Sequence, residues 1–221
     1  MCGKFTQLIA WGDATTLEEM LAAGNDGRAE TVTPMRFATV IRLNREGKRE
    51  AARMRWGFVP ANARDPSDGA RFIHARAETI EQKPTFRNAF FERRGLLVVN
   101  TFNEGKEVTP RKTEQHVVTL RDRRATAIAV IWERWNGSGP APLETFAMVT
   151  VPANETIGAI TDRMPALVAD ADWAKWLGEE PATIDKLKAL LRPSDLPMDM
   201  EKAGKPSPPP KPERDDQGSL F

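Results

Sequence analysis

The chain has 221 residues, a net charge of +1, one cysteine and two histidines. One cysteine excludes an intramolecular disulfide framework and any zinc site built on paired cysteines, and two histidines make no histidine-rich metal site, so neither a metal nor a cofactor is expected. No apolar run approaches the ~20 residues of a bilayer span and no basic-then-apolar leader is present; with a free thiol, this predicts a cytoplasmic protein without a membrane partner.

The even charge balance conceals an asymmetry. Residues 1–135 carry 23 Lys+Arg against 17 Asp+Glu, and the remainder carries 9 against 14. Arginines cluster in the first part (Arg42, Arg45, Arg49, Arg53, Arg55; Arg87, Arg93, Arg94; Arg121, Arg123, Arg124). Such clusters suit phosphate binding, or else form a solvated face of mixed sign.

In chain order, Thr15 with Glu18 and Thr16 with Glu19 make two overlapping capping boxes, predicting a short helix that runs to about Ala23 and stops at Gly24. Residues 36–43 and 51–56 read as strands around the polar turn Asn44–Lys48. Residues 84–94 read as a helix, with Pro84 in its first turn and Phe86, Ala89 and Phe90 on one face. Four apolar runs then read as strands: 95–101, 115–121, 126–132 and 145–151. Two helices follow, at about 170–178 and 182–191. Trp173, Trp176 and Leu177 form the apolar face of the first, and Ile184, Leu187, Leu190 and Leu191 that of the second. A folded domain over 1–192 is expected. Residues 193–221 read as a Pro-rich, charged, disordered tail. That tail ends Gln217-Gly218-Ser219-Leu220-Phe221, a short apolar anchor on a flexible tether.

Cys2 is the residue with the most distinctive chemistry. Once Met1 is removed, its α-amine and thiol form a 1,2-aminothiol, which condenses with an aldehyde and closes a five-membered thiazolidine. An internal cysteine cannot do this, because its nitrogen is an amide. The reaction needs a proton shuttle, since the imine forms by losing water and the thiol must lose its proton.

Six segments, in order, resemble the SOS-response-associated peptidase family. They are Met1-Cys2-Gly3-Lys4-Phe5, Trp56-Gly57-Phe58-Val59-Pro60, Ala75-Arg76-Ala77-Glu78-Thr79, Phe86-Arg87-Asn88-Ala89-Phe90, Trp132-Glu133-Arg134-Trp135, and Thr145 to Pro165. The resemblance covers about residues 1–192. It implies an α+β fold, a single domain with a central open, barrel-like β-structure flanked by short helices, with Cys2 at a positively charged DNA-binding groove. It implies a protein that protects abasic sites in single-stranded DNA by cross-linking to them through Cys2 at the replication fork. It also implies strand incision through the imine, and N-terminal processing that exposes Cys2. Two other classes stay open: a DNA-binding module that has lost the chemistry, and a thiol peptidase.

By the same resemblance Glu104 is the proton shuttle. His74 stands where the family usually has asparagine, and Thr161 where it has histidine. Thr161 donates a hydrogen bond but does not exchange a proton near pH 7, whereas imidazole does both. The catalytic set then reads Cys2, His74, Glu104 and Thr161, with His74 assuming part of the displaced histidine's role. That reading requires the His74 and Glu104 side chains to approach the Cys2 nitrogen. Lys4 replaces an arginine, keeping charge without the bidentate fork. Asn62 replaces the second tryptophan of a segment that helps wedge DNA open at the lesion. Arg76 and Arg163 keep basic positions and read as phosphate contacts. Trp132 and Trp135 read as core, and His116 as structural or surface. The terminal peptide resembles the one that binds the bacterial sliding clamp, through Gln217, Leu220 and Phe221.

Overall fold

The computed structural model describes residues 2–8, 29–110, 112–122, 125–137 and 141–204. The helix expected near residues 15–23 and the terminal peptide Gln217–Phe221 lie outside the described residues.

The strands are β1 (Lys4–Leu8), β2 (Ala29–Val32), β3 (Phe37–Leu43), β4 (Arg49–Trp56), β5 (His74–Arg76), β6 (Arg94–Val99), β7 (Thr101–Thr109), β8 (Lys112–Leu120), β9 (Thr126–Trp135), β10 (Leu143–Pro152), β11 (Arg163–Pro165), β12 (Leu167–Val168) and β13 (Met198–Lys202). The helices are short: α1 (Pro84–Glu92), α2 (Glu155–Gly158), α3 (Trp173–Leu177) and α4 (Ile184–Leu190). The architecture is α+β and mostly strand, as the resemblance implied.

Strands β4, β3, β6, β9 and β10 pair in sequence, and β10 then pairs back onto β4. The expected barrel-like centre is therefore a closed ring rather than an open one. The closing pair is parallel and short, Thr145 opposite Arg55 and Phe146 opposite Trp56. Beyond it the chain leaves the ring through Gly57-Phe58-Val59-Pro60 and returns as β5, which continues along β10 with Met148 opposite His74. That exit needs glycine. Gly57 has a φ of +134°, and a Cβ there would stand 2.8 Å from Met35 Sδ and 3.0 Å from the Gly69 carbonyl oxygen.

The ring is filled by apolar residues from alternating positions. Val40, Leu97, Ile128, Val130 and Phe146 are among those fully buried. Each large side chain so buried contributes roughly 1.5–3 kcal/mol. The β3–β4 hairpin turns where the sequence placed it: Asn44 Oδ1 accepts from the Glu46 and Lys48 N–H groups, and Gly47 takes a φ of +76°. Helix α1 buries Ala89 and Phe90, while Phe86 packs edge-on against Phe58 and Phe72. Helix α3 buries Trp173, Trp176 and Leu177, and Trp176 Nε1 donates to the Gly95 carbonyl at 2.8 Å. In α4 Leu187 is buried, but Ile184 faces solvent at 44 % exposure, so the apolar face is narrower than its spacing suggested.

A second sheet, in the order β13-β8-β7-β1-β2, lies beside the ring. The run 95–101 is not one strand: Asn100 interrupts it, and the chain passes there from β6 in the ring to β7 in the second sheet. Strand β13 lies past the domain boundary expected at residue 192. It pairs with β8 from Met198 opposite Leu120 to Lys202 opposite His116, and Met198 is buried. The folded chain therefore includes residues first read as tail.

Four of the clustered arginines are engaged by other parts of the fold. Arg42 bonds Glu50 and Glu144, each at 2.8 Å, and lies over the Trp132 ring. Arg49 is bidentate on Glu179, and Arg93 reaches Glu92 and Glu133. Arg94 donates to the carbonyls of Phe90, Phe91 and Trp176. For these four the mixed-sign reading replaces phosphate pairing, because each guanidinium already bonds a carboxylate or carbonyl.

Candidate functional site

Strand β1 carries the amino-terminal segment into the middle of the second sheet. Phe5 lies opposite both Val32 of β2 and Phe102 of β7, and Lys4 lies opposite Asn103. Cys2 is thus delivered to the end of β7 that bears Glu104. The other wall comes from the ring. The Trp56 ring packs 5.3 Å from Phe5 and edge-on to His74 at 6.1 Å, and its Nε1 donates to the Ile73 carbonyl at 2.9 Å. Trp56 therefore fixes β5, with His74, against the strand that follows Cys2. The site lies on the seam between ring and sheet.

Cys2 is 1 % exposed. Its backbone is held from both sides. The Cys2 backbone N–H lies near enough to the Glu104 carboxylate to favour its charged form, and the Cys2 carbonyl near enough to the His74 ring to favour the imidazolium. His74 Nε2 is buried without a hydrogen-bond partner. Both side chains lie beside the Cys2 backbone, Glu104 on the side of its nitrogen and His74 on the side of its carbonyl. The thiol sulfur lies 3.4 Å from the Lys4 carbonyl oxygen.

Burial dominates the electrostatics. It raises Glu104 to about 7, against the pull of the positive amino terminus and, more weakly, of the Cys2 N–H. It lowers His74 to about 4, so the imidazole is neutral at physiological pH. It raises the Cys2 thiol well above its ordinary range, helped by the Glu104 charge and opposed by backbone N–H groups of Asn103 and Lys4. The thiol is therefore protonated at neutral pH. This arrangement suits addition to an activated electrophile, with the thiol proton passed to a neighbouring base, better than attack by a free thiolate.

These shifts have a measurable consequence for stability. Glu104 binds its proton more tightly folded than unfolded, so its contribution is present below about pH 4.5 and is lost as pH rises through about 7. His74 acts oppositely: its contribution is present above about 6.5 and is lost as pH falls through about 4. Wild type should therefore show little net change from these two groups between pH 4.5 and 6.5. Glu104→Gln should unmask the rise from His74. The stability difference, variant minus wild type, should grow by about 3 kcal/mol between pH 4 and pH 8. Urea unfolding at a series of pH values measures it, and a difference independent of pH would contradict the burial assignment.

The remaining sequence candidates divide. Arg163 is 8 % exposed and bidentate on Glu78, at 2.5 and 3.0 Å, with further bonds to the Thr150 carbonyl and hydroxyl. It holds Glu78 below the usual carboxylate range. Its reading as a phosphate contact is corrected to that of an ion pair tying β11 to the segment after β5. Arg163→Ala should cost about 2 kcal/mol, less than the roughly 3–5 kcal/mol of a fully buried pair, because the half-exposed Glu78 carboxylate left behind can hydrate. A chemical denaturation curve checks this. Unchanged stability with weakened DNA binding would restore the phosphate reading.

Arg76 on β5 is exposed, and Lys4 on β1 is half-buried. Asn62 is exposed in the Pro60–Ala63 turn, which Trp135 anchors through a 2.8 Å bond from Nε1 to the Ala63 carbonyl. Thr161 follows α2, its N–H bonded to the Ile157 carbonyl at 3.1 Å. Asn103 was not singled out from the sequence. It is 3 % exposed, and its backbone N–H faces the thiol. Among the described residues no group of His, Cys, Asp and Glu is placed to hold a metal. No helix among them is long and apolar enough to cross a membrane.

The family model described as SOS response associated peptidase (SRAP) matches residues 1–204. The chain belongs to this family. It is 31 % identical over 204 residues to the abasic site processing protein YoqW of Bacillus subtilis, covering 91 % of this chain and 90 % of that one. It is 30 % identical to YobE of the same organism, covering 91 % and 92 %. Similarity extends to the abasic site processing protein HMCES of Xenopus tropicalis, at 29 % identity over 65 % of this chain and 50 % of that one. The fold recurs in solved structures from Bacteroides thetaiotaomicron (TM-score 0.72, 20 % identity, 90 % and 91 % coverage) and Bordetella bronchiseptica (TM-score 0.72, 21 % identity, 92 % and 100 % coverage). The match to residue 204 takes in β13.

Proposed function

We propose that this SRAP protein processes abasic sites in single-stranded DNA, and that Cys2, freed by removal of Met1, forms a thiazolidine with the ring-opened sugar. Relatives at about 30 % identity over nine-tenths of the chain are named abasic site processing proteins, which supports the substrate. The observation that carries the chemistry is the hold on Cys2, with Glu104 at its nitrogen and His74 at its carbonyl.

The amine of Cys2 adds to the aldehyde carbon to give a carbinolamine. Glu104, raised to about 7, is poised to carry a proton at neutral pH. It gives that proton to the departing hydroxyl, and water leaves with the C–O bond electrons. The resulting iminium carbon is attacked by the Cys2 sulfur. The thiol proton returns to the Glu104 carboxylate, the C=N electrons settle on nitrogen, and the ring closes. His74 orients Cys2 from the side of its carbonyl, and its unpartnered Nε2 hydrogen-bonds the sugar. Because Cys2 is buried, only a slender extruded nucleotide reaches it, and an abasic sugar has no base to obstruct entry.

A thiol-peptidase reading has less support. His74 lies beside the Cys2 backbone carbonyl, and the thiol is shifted away from thiolate. The test is an oligonucleotide with one abasic site beside the same oligonucleotide carrying a tetrahydrofuran analogue, which has no aldehyde. The expected result is a denaturation-resistant adduct with the first alone. Equal retention of both after denaturation, or of neither, would overturn the proposal.

A further inference from the structure

His116 was read from the sequence as structural or surface, yet the register of the second sheet places it directly opposite Glu104. Directly opposed residues of an antiparallel pair share a face, with Cβ atoms about 4.5–5.5 Å apart. That face is the inner one. Phe102 and Val118, two residues along on the same strands, are opposed to one another and buried. Lys202 of β13 lies opposite His116 on its other side. A polar row therefore runs Glu104, His116, Lys202 across three strands, beside an apolar row of Phe5, Phe102, Val118 and Met200. The His116 side chain is 13 % exposed, and its Nδ1 is buried without a partner. Its Nε2 lies 4.0 Å from Glu114 Oε1, at the outer end of the row.

From this placement we infer that His116 is a positioning residue for Glu104, supplying a ring N–H to the Glu104 carboxylate as that group gives up its proton. The inference rests on the proposed role of Glu104. Proton donation to the departing hydroxyl leaves a carboxylate in a buried site, where an unsolvated charge is costly. A donor already aimed along the row lowers that cost at the moment the charge forms, directly or through one intervening water. The groups facing His116 fit this. Glu104 and Lys106 come from β7, Lys202 from β13, and Lys112 and Glu114 from its own strand. Lys202 bonds Glu114 at 2.5 Å, at the outer end of the row. His116 touches neither Cys2 nor the sugar and acts through Glu104.

The test compares wild type, His116→Phe and His116→Gln in the form lacking Met1, with cross-linking to an abasic oligonucleotide followed from pH 5 to pH 9. Phenylalanine removes the donor, and glutamine keeps an N–H. The expected result is a rate roughly tenfold lower for His116→Phe, a modest part of the usual general-acid contribution. Its pH inflection should move upward, since losing a donor to the carboxylate favours the protonated acid. His116→Gln should recover most of the rate. An unchanged rate and inflection, or equal loss in both variants, would overturn the inference. A second readout does not depend on cross-linking. With two histidines in the chain, the His116 ring signals are assigned in NMR spectra by their loss in His116→Phe. They should shift as Glu104 titrates near pH 7, and that shift should disappear in Glu104→Gln. If wild type forms no adduct, the proposed function falls, and this titration alone decides the pairing: a His116 signal indifferent to Glu104→Gln rejects it.

Discussion

Replacing Cys2 by alanine should abolish the denaturation-resistant adduct altogether while leaving noncovalent DNA affinity nearly intact. The chain has one cysteine, so no second thiol can close the ring. Serine is the sharper substitution. It keeps the size, the backbone hold by Glu104 and His74, and the amine, but its hydroxyl adds to an imine far less readily than a thiol. Cys2→Ser should therefore accumulate the imine, which borohydride reduction traps and which hydrolyses if left untreated. Adduct formation is read on a denaturing gel with and without reductant. Full-yield, reductant-independent adduct in Cys2→Ser would show that sulfur is not the closing nucleophile.

Glu104→Gln should have the second largest effect, a loss of about 10²-fold or more in cross-linking rate. Glutamine preserves shape and can still accept from the Cys2 N–H through its carbonyl oxygen, so the loss reports proton transfer more than collapse. The pH profile separates the two explanations. Because burial raises Glu104 to about 7, wild-type rate should carry an inflection there rather than near the ordinary carboxylate range. Glu104→Gln should lack that inflection. A variant that is slow but keeps the inflection would assign it to another group and leave Glu104 structural.

The sequence made some of this legible and hid the rest for definite reasons. Strands β3, β6, β9 and β10 announce themselves by apolar runs, because most of their residues are buried, whereas β4 carries Arg49, Arg53 and Arg55. The break at Asn100 is invisible to such a reading: the apolar character continues while the chain changes sheets. The distal half of β7, Gly105 to Thr109, is mostly exposed and polar, and reads as loop although it pairs with β8. Strand β13 is short and half-exposed, its Met198 and Met200 alternating with Asp199 and Glu201 amid proline and charge. Cys2, Glu104 and His74 were found through motif positions, and the fold brings all three together. Arg163 was misassigned by the same route, because a conspicuous basic residue gives no sign of the carboxylate it meets; its partner Glu78 is 85 positions distant. His116 was passed over for the converse reason. Its relation to Glu104 exists only in the register of two paired strands, which no local pattern encodes.

The account's central claim is that Cys2 itself becomes the covalent link. Intact mass of the purified protein, before and after mixing with single-stranded DNA bearing one abasic site, tests it most directly. The account predicts a protein lacking Met1, then a species at the summed masses less one water, with the modification mapping to residue 2. An adduct mapping to any other residue, or a protein lacking Met1 that binds the DNA and gains no mass, would contradict it.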